Sequence, residues 1–173
     1  LVVDLFCYAS DYEKEIYKRA FNVREEAMIP TGLPRNDELD RVDDEKIRAI
    51  KERLGLPLDK KIILHAPTWR DSTDNGATYA IKPPIDTKKW EKELGDEYIV
   101  LFRTHGYTNK LLGIDFNETI RDYSAYPSIN DLFVVSDILI SDYSASMADY
   151  SILERPILCF AYDYEQYRDE RGL

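Results

Sequence analysis

The stretch Ser136-Asp137-Ile138-Leu139-Ile140-Ser141-Asp142-Tyr143-Ser144-Ala145-Ser146 fixes the fold class. An apolar run passes directly into small hydroxylated residues suited to a helix start. A strand that feeds a helix without a long loop is half of a βαβ unit.

The same alternation extends in both directions. Short apolar runs occur at Asp4–Tyr8, Ala27–Ile29, Ile62–Leu64, Tyr98–Phe102, Ile138–Ile140 and Ile157–Phe160. Most are continuously apolar, as in strands buried on both faces of a parallel sheet. Helical segments separate them. Ser10-Asp11-Tyr12-Glu13 is a capping box, with Tyr12, Ile16 and Ala20 on one face. Asp43 or Asp44 opens a helix with the stripe Ile47, Ile50 and Leu54, which Gly55 and Pro57 stop. Further helices are expected from Thr87 to Leu94, after a Ser128 cap, from Ser144 through Ile152, and from Asp163 to Glu170. The expectation is an α/β fold: one doubly wound, Rossmann-like parallel sheet of about six strands. Residues 66–86 are the longest irregular stretch, and Asp71–Gly76 has the composition of a surface flap.

The chain has 173 residues, which suits a single domain spanning 1–173. Its net charge of −10 opposes binding to nucleic-acid backbones or broad adsorption on anionic lipid. It leaves room for one localised anion pocket, because net charge describes bulk behaviour. Cys7 and Cys159 are too few for a disulfide scaffold, and their apolar neighbours predict buried free thiols. No apolar run reaches membrane-spanning length, and no signal peptide is visible. With no initiating Met, the chain is expected to be a piece of a longer protein.

In an open α/β sheet, ligands bind beyond the carboxyl ends of the strands. Those positions carry Thr31–Asp37, His65–Asp71, Arg103–Gly106 and Ser141–Ser146. Together they bring Arg35, Arg70, Arg103, His65, His105 and several hydroxyls to one rim, the inventory of an anion site. Ser144 and Ser146 can donate to a phosphate, or Ser144 can simply cap its helix. Arg103 offers a permanent fork of donors, and His105 a proton that moves near neutral pH. His65, nearer the apolar strand, can equally be packed. Thr68-Trp69-Arg70 can supply a stacking ring and a charge; the plainer account makes Trp69 a packing anchor and Arg70-Asp71 a local ion pair. Asp149 can accept from ligand hydroxyls or be an exposed helix charge. Gly-x-Gly-x-x-Gly, P-loop and Asp-x-Asp motifs are all absent, so no cofactor and no metal pair is indicated.

Five motifs, in order and at natural spacings, resemble the CDP-glycerol glycerophosphotransferases of teichoic acid synthesis. They are Thr31–Asp37, Ala66–Asp71, Arg103–His105, Ser136–Ser144, and Glu154-Arg155-Pro156 with Phe160–Gly172. The resemblance implies the C-terminal, donor-binding half of a two-domain glycosyltransferase-B-type fold. It also implies that the family's Trp-His-Gly-Thr-type motif, which carries the usual catalytic-base candidate, precedes residue 1. Arg35, Thr68, Trp69, Arg103, Thr104, His105, Ser144, Ala145 and Asp149 fall on positions that line the CDP-glycerol site in the family, with Arg103 and His105 as catalytic candidates. Three departures stand out: His65 where Tyr is usual, Ala145 in place of a Ser, and Gly106-Tyr107 after His105.

The implied reaction moves glycerol phosphate from CDP-glycerol to a lipid-linked teichoic acid acceptor and releases CMP. The implied location is cytoplasmic and peripheral to the membrane, with the fragment itself soluble. Two alternatives remain: a related transferase for another nucleotide-polyol or nucleotide-sugar donor, and a Rossmann-like interaction domain without catalysis.

Overall fold

The computed structural model describes residues 3–68, 70, 80–81, 84–104, 110–111 and 114–171. The chain divides into two compact units, Leu1–Arg41 and Val42–Leu173.

The first unit is a small βαβ element. Strands β1 (Phe6–Cys7) and β2 (Met28–Ile29) pair in parallel, with Phe6 opposite Met28. Between them lies α1 (Asp11–Phe21). Ser10 accepts the Glu13 N–H at 3.2 Å, and the Glu13 carboxylate accepts the Ala9 N–H at 2.8 Å. The capping box therefore forms, with its return bond one residue earlier than the usual pattern. The packed face differs from the sequence expectation. Tyr12 and Ala20 are exposed, while Tyr17 packs edge-on to Phe6 at 5.4 Å and joins the cluster of Tyr8, Val23, Ala27 and Met28. The Phe6 ring selects that stripe. A 3-10 turn, Pro34–Leu39, follows and carries Arg35.

The second unit contains a five-stranded parallel sheet. In chain order it comprises α2 (Asp44–Arg53), β3 (Lys61–His65), β4 (Ala80–Ile81), α3 (Thr87–Leu94), β5 (Tyr98–Phe102), β6 (Lys110–Leu111) and β7 (Ile120–Asp122). Then come α4 (Ile129–Val135), β8 (Ile138–Ser141), α5 (Ser146–Tyr150), β9 (Ile157–Cys159) and α6 (Tyr164–Arg171). The sheet order is β7-β5-β3-β8-β9. Counted along the chain, that is the 3-2-1-4-5 order of a Rossmann sheet, with its switch point between β3 and β8. Strands β4 and β6 form a separate parallel pair.

The six-strand expectation is corrected in two ways. The first two apolar runs pair with each other instead of entering the main sheet. Ile120–Asp122 supplies a strand whose single deeply buried apolar residue, Ile120, gave too weak a pattern to mark it.

Burial on both faces explains the continuous apolar runs. Ile63, Val100, Phe102 and Ile120 face α3 and the segment before it, from which Trp90, Leu94 and Ile85 pack against them. Their neighbours Ile62, Leu64, Ile99 and Leu101 point the other way by the strand's two-residue period, and are equally buried. Helix α4 packs against β3 and α2. Its carboxyl end is held by Arg155, which donates to the carbonyls of Val134 (2.7 Å) and Ser136 (2.6 Å).

The caps follow the sequence closely. Asp43, Asp86 and Ser128 accept N–H bonds from Lys46, Lys89 and Asp131. Gly55, at φ +64°, ends α2 in a Schellman turn: Gly55 N–H reaches the Glu52 carbonyl and Leu56 N–H the Lys51 carbonyl. Among the described residues, no helix is long and apolar enough to cross a membrane.

Candidate functional site

A cleft of about 470 Å³ opens at the switch point. Its walls are the segments that follow three parallel strands: Ala66, Pro67 and Thr68 after β3, Arg103 and Thr104 after β5, and Tyr143–Ser146 after β8. Ile129, the first residue of α4, also contributes. This is where a Rossmann-order sheet leaves room for a ligand, because neighbouring crossovers diverge to opposite faces.

The cleft is chemically suited to an anion. Arg103 is half-buried, and desolvation lowers its pKa. Among the described residues no carboxylate pairs with it. Its guanidinium donates to the carbonyl of Ser124, which is neutral. A desolvated cation without a counter-ion favours an anionic partner. Beside it, buried Thr104 donates its N–H (3.2 Å) and hydroxyl (2.8 Å) to Ser124 Oγ. Ser124 is fixed in turn by its N–H bond to Asp122 (2.9 Å).

On the opposite wall, Ser144 Oγ accepts the N–H (3.2 Å) and hydroxyl (2.8 Å) of Ser146. The proton of Ser144 stays available for a further acceptor. The expected long helix is corrected here. Helix α5 has five residues and passes into a 3-10 turn, Ser151–Leu153. The first bonds of this turn are of the tighter type, Met147 to Ser144 and Ala148 to Ala145. So short a helix has little macrodipole, and the hydroxyls supply most of the wall's polarity. Thr68 Oγ1 is buried with no hydrogen-bond partner among the described residues.

Thr68, Arg103, Thr104, Ser144 and Ala145 therefore meet in one cleft. Asp149 lies half-buried on α5, beyond the lining residues. Arg35 is exposed in the first unit. Trp69, His105 and the flap Asp71–Gly76 lie outside the described residues.

Other rim residues do different work from that expected. Arg70 is committed to Asp142 (2.8 Å) and Asp163 (2.7 Å), so its charge is balanced within the fold. His65 is 2% exposed and packs on Phe102 at 4.8 Å and Trp90 at 6.1 Å. Burial lowers its pKa to about 4, which keeps it neutral. Cys159 is exposed and Cys7 half-buried, against the expectation of two buried thiols; β9 is an edge strand. Tyr143 and Ser124 carry site geometry that the sequence did not single out. The Ser124 contacts span twenty residues, and no local pattern marks them. Among the described residues, no cluster of three or more carboxylates, imidazoles or thiols is placed to hold a metal ion.

Sheet order and cleft define a Rossmann-type α/β domain with a polar cleft at its switch point. The sequence model of the CDP-glycerol:poly(glycerophosphate) glycerophosphotransferases matches residues 2–173, and the chain belongs to that family. The teichoic acid glycerol-phosphate transferase of Staphylococcus aureus (strain NCTC 8325 / PS 47) is 38% identical over 170 residues, which are 96% of this chain and 43% of that protein. The teichoic acid poly(ribitol-phosphate) polymerase of Bacillus spizizenii (strain ATCC 23059 / NRRL B-14472 / W23) is 35% identical over 169 residues, 94% of this chain and 27% of that protein. A solved structure of the wall teichoic acid polymerase TagF, a variant soaked with CDPG, superposes with a TM-score of 0.84 at 40% identity. The match covers 98% of this chain and 42% of that one. The chain thus spans less than half the length of these relatives.

Proposed function

We propose that this chain supplies the donor-binding half of an enzyme that transfers glycerol phosphate from CDP-glycerol to a glycerol-phosphate or teichoic acid acceptor, releasing CMP. The observation that carries the reading is Arg103, a desolvated cation with no carboxylate partner among the described residues, facing hydroxyls across the switch-point cleft. Family membership supplies the donor class.

In this reaction an acceptor hydroxyl forms a new P–O bond to the glycerol-bearing phosphorus. The bond from that phosphorus to the bridging oxygen breaks, and CMP departs with the electron pair. Catalysis of such a step is mostly positioning and stabilisation of spread negative charge. Arg103 balances charge on the pyrophosphate, while Thr68, Thr104, Ser144 and the backbone at Ala145 orient its oxygens. His105 protonates or hydrogen-bonds the departing phosphate. Trp69 completes the donor site, and Asp149 holds a ligand hydroxyl. The catalytic base and the lipid-linked acceptor belong to the rest of the enzyme, which works at the membrane surface from the cytoplasmic side.

A second reading, CDP-ribitol as donor, draws on the similarity to a ribitol-phosphate polymerase. Parallel titrations with CDP-glycerol, CDP-ribitol and a UDP-sugar test both. The proposal expects CDP-glycerol to bind most tightly, with His105→Ala and Arg103→Ala each weakening it. Preference for the uridine donor, or no binding of any cytidine donor, contradicts the proposal.

A further inference from the structure

One buried carboxylate joins two of the cleft's three walls. Asp142 follows β8 and is 3% exposed. Its Oδ1 accepts the N–H of Thr68 at 2.8 Å, from the wall after β3, and the N–H of Tyr143 at 2.7 Å, from the wall after β8. Its Oδ2 accepts from Arg70 Nη2 at 2.8 Å. Arg70 also donates Nη1 to the Thr68 carbonyl at 2.6 Å. Both backbone polar groups of Thr68 are thus held by one ion pair.

That pair is itself braced. Asp163, ahead of α6, takes Arg70 in a fork of 2.7 and 3.0 Å and accepts the Tyr143 hydroxyl at 3.0 Å. Tyr143 stacks on Tyr167 with centroids 3.8 Å apart, and the guanidinium lies 5.0 Å from the Tyr167 ring. A planar fork in this setting has one orientation, which an ammonium would not reproduce. Neither Asp142 nor Arg70 lines the cleft, yet Thr68 and Tyr143, which they hold, both do.

We propose that Asp142, with Arg70 as its fixed counter-ion, is the positioning residue of the donor cleft: it locks the β3 and β8 walls at one separation, so that Thr68 and Ser144 meet the same ligand. The role in ligand binding rests on the donor reading above. The clamp itself does not, and the test separates the two.

The test uses the full chain, with Asp142→Asn, Arg70→Lys and Ser144→Ala. Affinity for CDP-glycerol is measured by calorimetry at a temperature where each protein is fully folded. Asp142→Asn and Arg70→Lys should each raise Kd at least tenfold. In a Ser144→Ala background, Asp142→Asn should raise Kd by a clearly smaller factor, because the aligned hydroxyl is already gone. An unchanged Kd in folded variants, or fully multiplicative effects in the double variant, would overturn the positioning role. Should Asp142→Asn fail to fold, Arg70→Lys, which keeps the charge, carries the same cycle. Amide hydrogen exchange of the unliganded chain tests the clamp alone. Thr68 and Tyr143 should exchange at least tenfold faster in the variants, with Leu64 in β3 unchanged. Equal exchange would refute the clamp. Failure of the wild-type chain to bind CDP-glycerol would refute the donor reading, and exchange would still decide the clamp.

Discussion

Thr104 sends both its N–H and its hydroxyl to a single atom, Ser124 Oγ, at 3.2 and 2.8 Å. The same Ser124 gives its carbonyl to Arg103. The loop after β7 therefore sets the geometry of the loop after β5, and one serine orients two cleft residues.

Ser124→Ala removes an acceptor from a buried threonine. We predict a loss of about 1–3 kcal/mol in unfolding free energy, the range for a buried donor left without a partner. Urea denaturation measures it. CDP-glycerol affinity should fall as well, since Thr104 loses its fixed orientation. A fully stable variant with native affinity would mean that Ser124 orients nothing of consequence.

Arg103→Ala should separate stability from binding. A desolvated cation that, among the described residues, is bound to a neutral carbonyl and to no carboxylate contributes little to folding, so the unfolding free energy should change by less than about 1 kcal/mol. Loss of a charge-assisted hydrogen bond to ligand, about 1.5–3 kcal/mol, should weaken donor binding roughly ten- to a hundredfold. Parallel thermal melts and calorimetry read both quantities.

His65 makes stability depend on pH. Burial depresses its folded-state pKa from 6.5 to about 4, so the unfolded chain binds the proton more readily. The stability it contributes is complete above about pH 6.5 and is lost as pH falls toward 4, by about 3 kcal/mol at most. Denaturation series at pH 7 and pH 5 should show a drop that His65→Phe reduces. Parallel pH profiles for the two proteins would show that His65 takes no part.

Gly55→Ala should cost about 1 kcal/mol, because the Schellman turn holds this residue at φ +64°. Nothing lies within 4 Å of a Cβ built there, so backbone conformation alone sets the cost. Chemical denaturation gives the value; an unchanged midpoint would place the αL requirement elsewhere in the turn.

Local rules carried most of the fold. Caps at Ser10, Asp43 and Ser128, the Gly55 stop and the apolar runs of β3, β5 and β8 all depend on neighbours within about five residues. What escaped depends on distant partners. Ile120–Asp122 becomes a strand because β5 offers a free edge beside it. Arg70 pairs with Asp142 and Asp163, more than seventy residues away, which no local pattern marks; its expected neighbour Asp71 lies outside the described residues. The cleft followed the same division. The rule of strand carboxyl ends placed Thr68, Arg103, Thr104 and Ser144 together, while Ser124 and Tyr143 gained their roles from tertiary hydrogen bonds.

In the proposed reaction the switch-point cleft receives the cytidine diphosphate donor through Arg103. Calorimetric titration of the wild-type chain and Arg103→Ala with CDP-glycerol tests it most directly. Saturable one-to-one binding by the wild type is expected, with a Kd at least tenfold higher for the variant. Equal affinity of the two proteins, or no binding by the folded wild-type chain, would contradict it.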